Sequence, residues 1–101
     1  MALVIVRHRV KEFGAWLAAF DAHGTARADA GFSNVRIYRS VDDSSEVVVL
    51  LDTADIGKAT QFITSAEVKS AMAAAGVVDK PDVFVLTAAD GSDLPRARRS
   101  G

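Results

Sequence analysis

The chain has no cysteine, one tryptophan, one tyrosine and only two histidines among its 101 residues. Without thiols there is no disulfide and no thiolate nucleophile, an absence that leaves the compartment open. Two histidines with no paired carboxylates at ligand spacing make a poor metal site. Gly14, Gly24 and Gly31 do not follow the spacing of a phosphate-cradling loop, and the nucleophile-elbow pattern is missing. No charge of one sign dominates: 12 Lys and Arg stand against 13 Asp and Glu, for a net charge of −1. Such a balance gives no global basic field to attract nucleic acid or an anionic membrane. Long apolar runs are lacking too. The stretch Ala2–Val6 before Arg7 is too short for a signal-peptide core or a membrane span, so a cytoplasmic protein is expected.

What is present is apolar and periodic. Hydrophobic residues make up 50% of the chain, and the mean hydropathy is +0.17. A single domain of this length leaves much of its surface exposed, so that content is a first hint of an oligomer. Residues 2–9 read as a buried strand, with Leu3, Val4, Ile5 and Val6 mostly β-branched. From about Lys11 to Ala30 the stripe Phe13, Trp16, Leu17 and Phe20 predicts a helix, which Gly31 closes. Residues 32–41 and 46–52 predict a strand hairpin about the turn Asp42-Asp43-Ser44-Ser45. A second helical region begins near Asp55 with Ile56, Ala59, Phe62 and Ile63 inward. Thr64-Ser65-Ala66-Glu67 reads as a capping box with Thr64 as N-cap, opening a short helix with Val68 and Met72 that ends at Gly76. Pro81 falls in a loop, and residues 83–88 predict a fourth strand. Residues 1–88 are expected to form the domain; residues 89–101, with Arg96, Arg98 and Arg99, form a polar tail.

The order β-α-β-β-α-β is the ferredoxin-like α+β arrangement, an antiparallel sheet with its helices on one face. The other face should then be wet, with polar residues at alternate positions. The first, third and fourth strands are instead apolar on both sides; only the second has a polar side, with Asn34, Arg36, Tyr38 and Ser40 opposite Val35, Ile37 and Val41. The expected cover is a second copy, giving a homodimer packed through the sheet face. RNA-recognition modules share the element order but stack bases on aromatics of an open sheet. The strands LVIVRHR and EVVVLLD carry none, which argues against RNA binding.

Two motifs in this frame carry a resemblance. Val6, His8, Val10, Glu12, Phe13, Trp16, Phe20 and Asp21 fit V-x-H-x-V-x-[DE]-[YF]-x-x-W-x-x-x-F-D. The segment ATQFITSAEVKSAMAAAGVV, residues 59–78, fits A-x-x-F-I-x-S-x-E-[LV]-K-x-A-M-x-x-A-G-V-V. Over residues 3–87 the chain resembles the dimeric α+β barrel superfamily, which holds antibiotic-biosynthesis-monooxygenase-like proteins, muconolactone isomerase and stress-responsive dimeric barrel proteins. Within it, the chain is similar to a group of small bacterial proteins loosely labelled cyclase. The resemblance implies a dimeric barrel, a pocket between helices and sheet for a small apolar, aromatic or polyketide-like molecule, and cofactor-independent isomerisation, cyclisation or oxygenation. Monooxygenase-like members often carry a histidine on the second helix; Phe62 stands there in this sequence.

Candidate residues follow from the parity of the strands and the helical stripe. His8 shares the parity of Val4 and Val6. If that side meets the helices it is a general base or hydrogen-bond donor at the pocket mouth; otherwise it is a structural histidine bonded to backbone. Trp16 and Phe20 serve as core and pocket wall together, and Phe62 and Met72 fill core or wall. Tyr38 supplies a phenolic proton and Arg36 holds a carboxylate or enolate, or both line the dimer rim. His23 lies at the rim, and Arg27 caps carbonyls or snorkels. A helix from Lys11 to His23 rises about 18 Å at about 1.5 Å per residue, so the two histidines are not a pair within one subunit.

Overall fold

A computed structural model of the chain describes residues 2–89. Its elements are β1 (Ala2–Arg9), α1 (Phe13–Ala22), α2 (Gly24–Asp29), β2 (Phe32–Arg39), β3 (Glu46–Thr53), α3 (Ile56–Ile63), α4 (Ala66–Ala74) and β4 (Asp82–Leu86). The four strands form one antiparallel sheet in the order β2-β3-β1-β4, the ferredoxin-like α+β arrangement that the element order implies. The stretch assigned to a polar tail lies outside the described residues from position 90 onward.

Register decides which side chains meet the helices. In β1 and β3, Val4 faces Leu51, Val6 faces Val49 and His8 faces Val47. The five apolar residues are buried with Trp16, Phe32 and Ala59 in one core, and His8 is buried as well. The opposite parity of the same strands, Leu3, Ile5, Val48 and Leu50, is half-buried, and Phe84 beside Ile5 is 51% exposed. The sheet therefore has a packed face and an apolar open face.

The helices differ from expectation at two joints. The helix expected from Lys11 to Ala30 starts at Phe13 and divides at His23, which ends α1 and precedes α2. Glu12 caps α1 by accepting from the amides of Gly14 and Ala15, each at 2.9 Å. At the joint the His23 amide donates to Phe20 at 3.2 Å, and its Nδ1 lies 2.9 Å from the Ala19 carbonyl. Gly24 follows at once, the residue type least committed to continuing a helix. The N-cap of α4 is Ser65 and not Thr64. Thr64 Oγ1 bonds back to the Thr60 carbonyl at 2.8 Å and so belongs to the end of α3, while Ser65 Oγ accepts from the Val68 amide at 3.2 Å. Glu67 thereby falls in the first helical turn, where its charge complements the helix dipole.

Gly76, at φ +92°, ends α4 with a paired closure: its amide donates to Ala73 and the Val77 amide to Met72. The same loop grips the start of α1, because Lys11 donates to the Gly76 carbonyl at 2.8 Å and Val78 to the Arg9 carbonyl at 3.0 Å. That clasp fixes the corner after His8. Strand β2 departs from simple alternation. A bulge between Ser33 and Arg36 places Asn34 at φ +49°, a conformation asparagine tolerates better than most residues. Val35 and Val41, expected on the buried side, are exposed: the bulge removes the first from alternation, and the second lies beyond the strand end.

Candidate functional site

Between the packed sheet face and the helices lies a cavity of about 760 Å³, in the range of small-molecule sites. Its floor is Val4, Val6 and His8 of β1 with Val49 and Leu51 of β3. Trp16, Phe20 and Arg27 form the α1–α2 wall; Phe62, Ile63 and Met72 form the α3–α4 wall. Phe32 closes the end between them, edge-on to Phe62 with ring centres 5.7 Å apart.

His8 is the polar group of this floor. The alternation of β1 places it on the packed face and the Arg9–Val78 bond stops the strand there. It is 3% exposed, and among the described residues neither Nδ1 nor Nε2 has a hydrogen-bond partner. An unsatisfied buried polar group costs free energy, so its presence calls for a physical reason. Trp16 meets the imidazole edge-on, with centres 5.6 Å apart and planes at 68°. Burial pulls the imidazole pKa below its ordinary 6.5, and the charge of Asp79 opposes this. The neutral form is thereby favoured, with one nitrogen free to accept a proton and the other to donate one.

An aromatic ladder leads away from it. Trp16 stacks on Phe20 at 5.0 Å and 23°, and Phe13 lies 5.8 Å behind Trp16. The guanidinium carbon of Arg27 lies 3.5 Å from the centre of the Phe20 ring, and its Nη1 donates to the Phe20 carbonyl at 2.6 Å. Of the two roles open to it in the sequence, carbonyl capping or snorkelling, Arg27 takes the first, on a carbonyl of the preceding helix α1, and it lines the cavity as well. His23, which is exposed, also lines it.

Of the residues singled out in the sequence, His8, Trp16, Phe20, Phe62 and Met72 come together around the cavity. Arg36 and Tyr38 do not. They pair with Leu50 and Val48 and so stand on the open face of the sheet. Arg36 is engaged there by Asp52 at 2.9 Å and by the Asn34 carbonyl at 3.1 Å; Tyr38 is 56% exposed. Phe32 escaped notice as a wall residue although it opens the alternation of β2. Among the described residues no cluster of three or more His, Cys, Asp or Glu is placed to hold a metal ion. No helix among them is long and apolar enough to cross a membrane.

No protein-family model matches the chain, and no curated protein does. Solved structures do match. An antibiotic biosynthesis monooxygenase aligns with a TM-score of 0.66 at 12% identity, over 87% of this chain and 98% of its own. SnoaB, a cofactor-independent oxygenase from Streptomyces nogalater, aligns with a TM-score of 0.70 at 15% identity, over 94% and 97%. Rv0793 from Mycobacterium tuberculosis aligns with a TM-score of 0.62 at 23% identity, over 86% and 93%. Likeness at these identities is a likeness of fold. The resemblance in the sequence thus carries through to the backbone: this chain has the ferredoxin-like α+β fold of antibiotic-biosynthesis-monooxygenase-like proteins.

Proposed function

We propose that the protein binds a small, mostly apolar molecule in the cavity and acts on it without a cofactor, with His8 handling a proton. The observation that carries this reading is the imidazole itself, buried on the floor of an apolar cavity with neither nitrogen bonded among the described residues. A fold selected only for stability has no use for that arrangement; a ligand that supplies the missing hydrogen bond gives it one. Neutral His8 can take a proton from a carbon activated by a neighbouring carbonyl or phenol. The carbanion equivalent can then be reprotonated elsewhere, close a ring, or react with dioxygen. Trp16, Phe20 and Phe62 hold the substrate and exclude water. The description of SnoaB as a cofactor-independent oxygenase supports this class of chemistry.

A non-catalytic ligand-binding module is the second reading. It is favoured by the placement of Tyr38 and Arg36 on the other sheet face, which leaves His8 without either of them as a partner. In both readings the protein is a homodimer. The open face carries Leu3, Ile5, Leu50 and Phe84, and its charges are already paired, Arg7 with Glu46 and Asp82, Arg36 with Asp52. A second sheet packed there buries apolar surface without stranding a charge.

The test uses β-tetralone, an apolar ketone with acidic C–H bonds. Thermal shift reports binding, and loss of the α-proton signal by NMR in heavy water reports proton transfer. Exchange above the buffer rate that disappears in His8→Gln supports catalysis. Binding without exchange favours the module, and no thermal shift with any apolar probe refutes both.

A further inference from the structure

The strand end that carries His8 is closed by an acceptor with a charge on it. Strand β4 pairs with β1 only as far as Arg7, which meets Asp82. Beyond that point the loop before β4 takes over. Val78 donates to the Arg9 carbonyl at 3.0 Å, and Val10 bridges to Val77. The Arg9 amide donates to a side chain, Asp79 Oδ1, at 2.8 Å. A ladder position needs only an acceptor there, and a backbone carbonyl is enough. Asp79 supplies one with a negative charge attached, at the residue next to His8.

That charge is not spent on a cation. The ion pairs among the described residues engage Glu46, Asp82, Asp43 and Asp52, and not Asp79. The other charged groups around His8 have different work. Arg7 and Arg9 alternate onto the opposite side of β1 and are held by their carboxylates. Glu12 is occupied by the α1 amides, and Arg39 of β2 lies over the Phe13 ring. Strand β3 presents Val47. Lys11 and Lys80 are exposed at the two ends of the clasp, and His23, Arg27 and Glu67 line the cavity. Among the described residues, Asp79 is the charge whose field reaches the imidazole, where it opposes the effect of burial.

A base at this place needs such a field. When neutral His8 takes a proton from carbon, the electron pair of the C–H bond stays with the substrate and the ring becomes a cation. A cation on an apolar floor is costly without a counter-charge. A carboxylate already fixed at the next residue offsets it with no rearrangement during the reaction.

We infer that Asp79 is a positioning residue for proton transfer at His8: its bond to the Arg9 amide fixes the strand end that carries the imidazole, and its carboxylate offsets the positive charge the ring gains. This rests on the proton-transfer reading above and adds the group that makes His8 basic enough to serve it.

Histidine ring signals followed by NMR against pH test it, with His23→Gln used to assign the two rings. Asp79→Asn keeps an oxygen for the Arg9 amide and removes the charge. The His8 midpoint should then fall by about half a pH unit or more. The acid limb of β-tetralone α-proton exchange should move with it. Asp79→Glu, which keeps the charge, should recover most of the fall. A purely structural Asp79 predicts that Asp79→Asn moves neither. An unchanged His8 midpoint in Asp79→Asn therefore overturns the inference and leaves the cavity reading standing. Asp79 is exposed, so salt screens it. In the wild type the midpoint should fall between about 0.02 and about 0.5 M salt. A midpoint indifferent to salt overturns the inference with no variant needed. Absence of exchange by wild-type protein overturns the proton-transfer reading, and this role with it.

Discussion

Replacing His8 by phenylalanine should make the protein more stable. The imidazole is 3% exposed, has no partner on either nitrogen among the described residues, and lies against Val47 and Trp16. A buried polar group without a partner costs about 1–3 kcal/mol. The larger phenylalanine ring needs some repacking around it, so the lower end of that range applies. Phenylalanine keeps a ring against Trp16, removes the unsatisfied nitrogens and has the cavity in front of it to take its extra volume. The expected gain is about 1 kcal/mol, or about 4–8 °C in Tm for a domain of this size. Melting curves at matched protein concentration measure it, since association also raises Tm. The effect of pH supplies a second reading. Because burial lowers the folded-state pKa, the unfolded chain binds the proton first as pH falls below 6.5. Wild-type stability then drops until pH reaches the folded-state value, and the variant lacks that loss. The gap between the two proteins should therefore widen from about pH 7 to about pH 5. A variant less stable than wild type at neutral pH would show that His8 is bonded and structural, and would sink the functional reading of the cavity.

Sedimentation at micromolar concentration should show a dimer, and Ile5→Glu, which places a charge opposite Leu50 on the open sheet face, should dissociate it; a stable wild-type monomer removes the case for that interface. Ser65→Ala should cost about 1 kcal/mol in a denaturant titration through loss of the α4 cap, and Thr64→Ala markedly less, because Thr64 Oγ1 only bonds back to its own helix. Equal costs would return the cap to Thr64.

The order of elements was legible because each is written in its own period, and Gly31 and Gly76 mark their helix ends plainly; both sit at positive φ. The misreadings occur where one residue changes the count. Thr64 and Ser65 are adjacent hydroxyls, and only the end of α3 decides which of them is free to cap. The stripe that ends at Phe20 gave no sign of the joint at His23, because Arg27 continues near the same side. In β2 the extra residue at Asn34 breaks an alternation that looks unbroken in the sequence. The site was legible in part for a related reason. Parity groups His8 with Val4 and Val6, and Arg36 with Tyr38, but it does not say which group meets the helices. Burial settles that: His8 and its neighbour Val47 are buried, whereas Val48 is half-buried and its neighbour Tyr38 exposed. The hold of Arg27 on the Phe20 carbonyl reaches seven residues back into the preceding helix, which no spacing rule shows.

The cavity has a cause in the sequence as well. Its helical walls are rich in alanine: Ala19 and Ala26 on one side, Ala66, Ala71, Ala74 and Ala75 on the other. Alanine is the strongest helix former, so these helices form without large side chains. A side chain that ends at Cβ reaches little of the space between helix and sheet, and the walls stand off from the floor. Such walls bury little apolar area and need another hold. Here they are held at their ends. Glu12 caps α1, Ser65 caps α4, Gly76 and Val77 close α4 through Ala73 and Met72, and two backbone bonds tie that closure to Arg9 and Lys11. Apolar composition is thus spent on the two faces of the sheet and on an aromatic ladder, and not on filling the space between layers. This also resolves the apparent excess of hydrophobic residues: alanine adds to their number without adding packing. A helix layer fixed by caps and backbone bonds can leave a void that a layer fixed by interlocking side chains would fill, and His8 is the polar group placed on its floor.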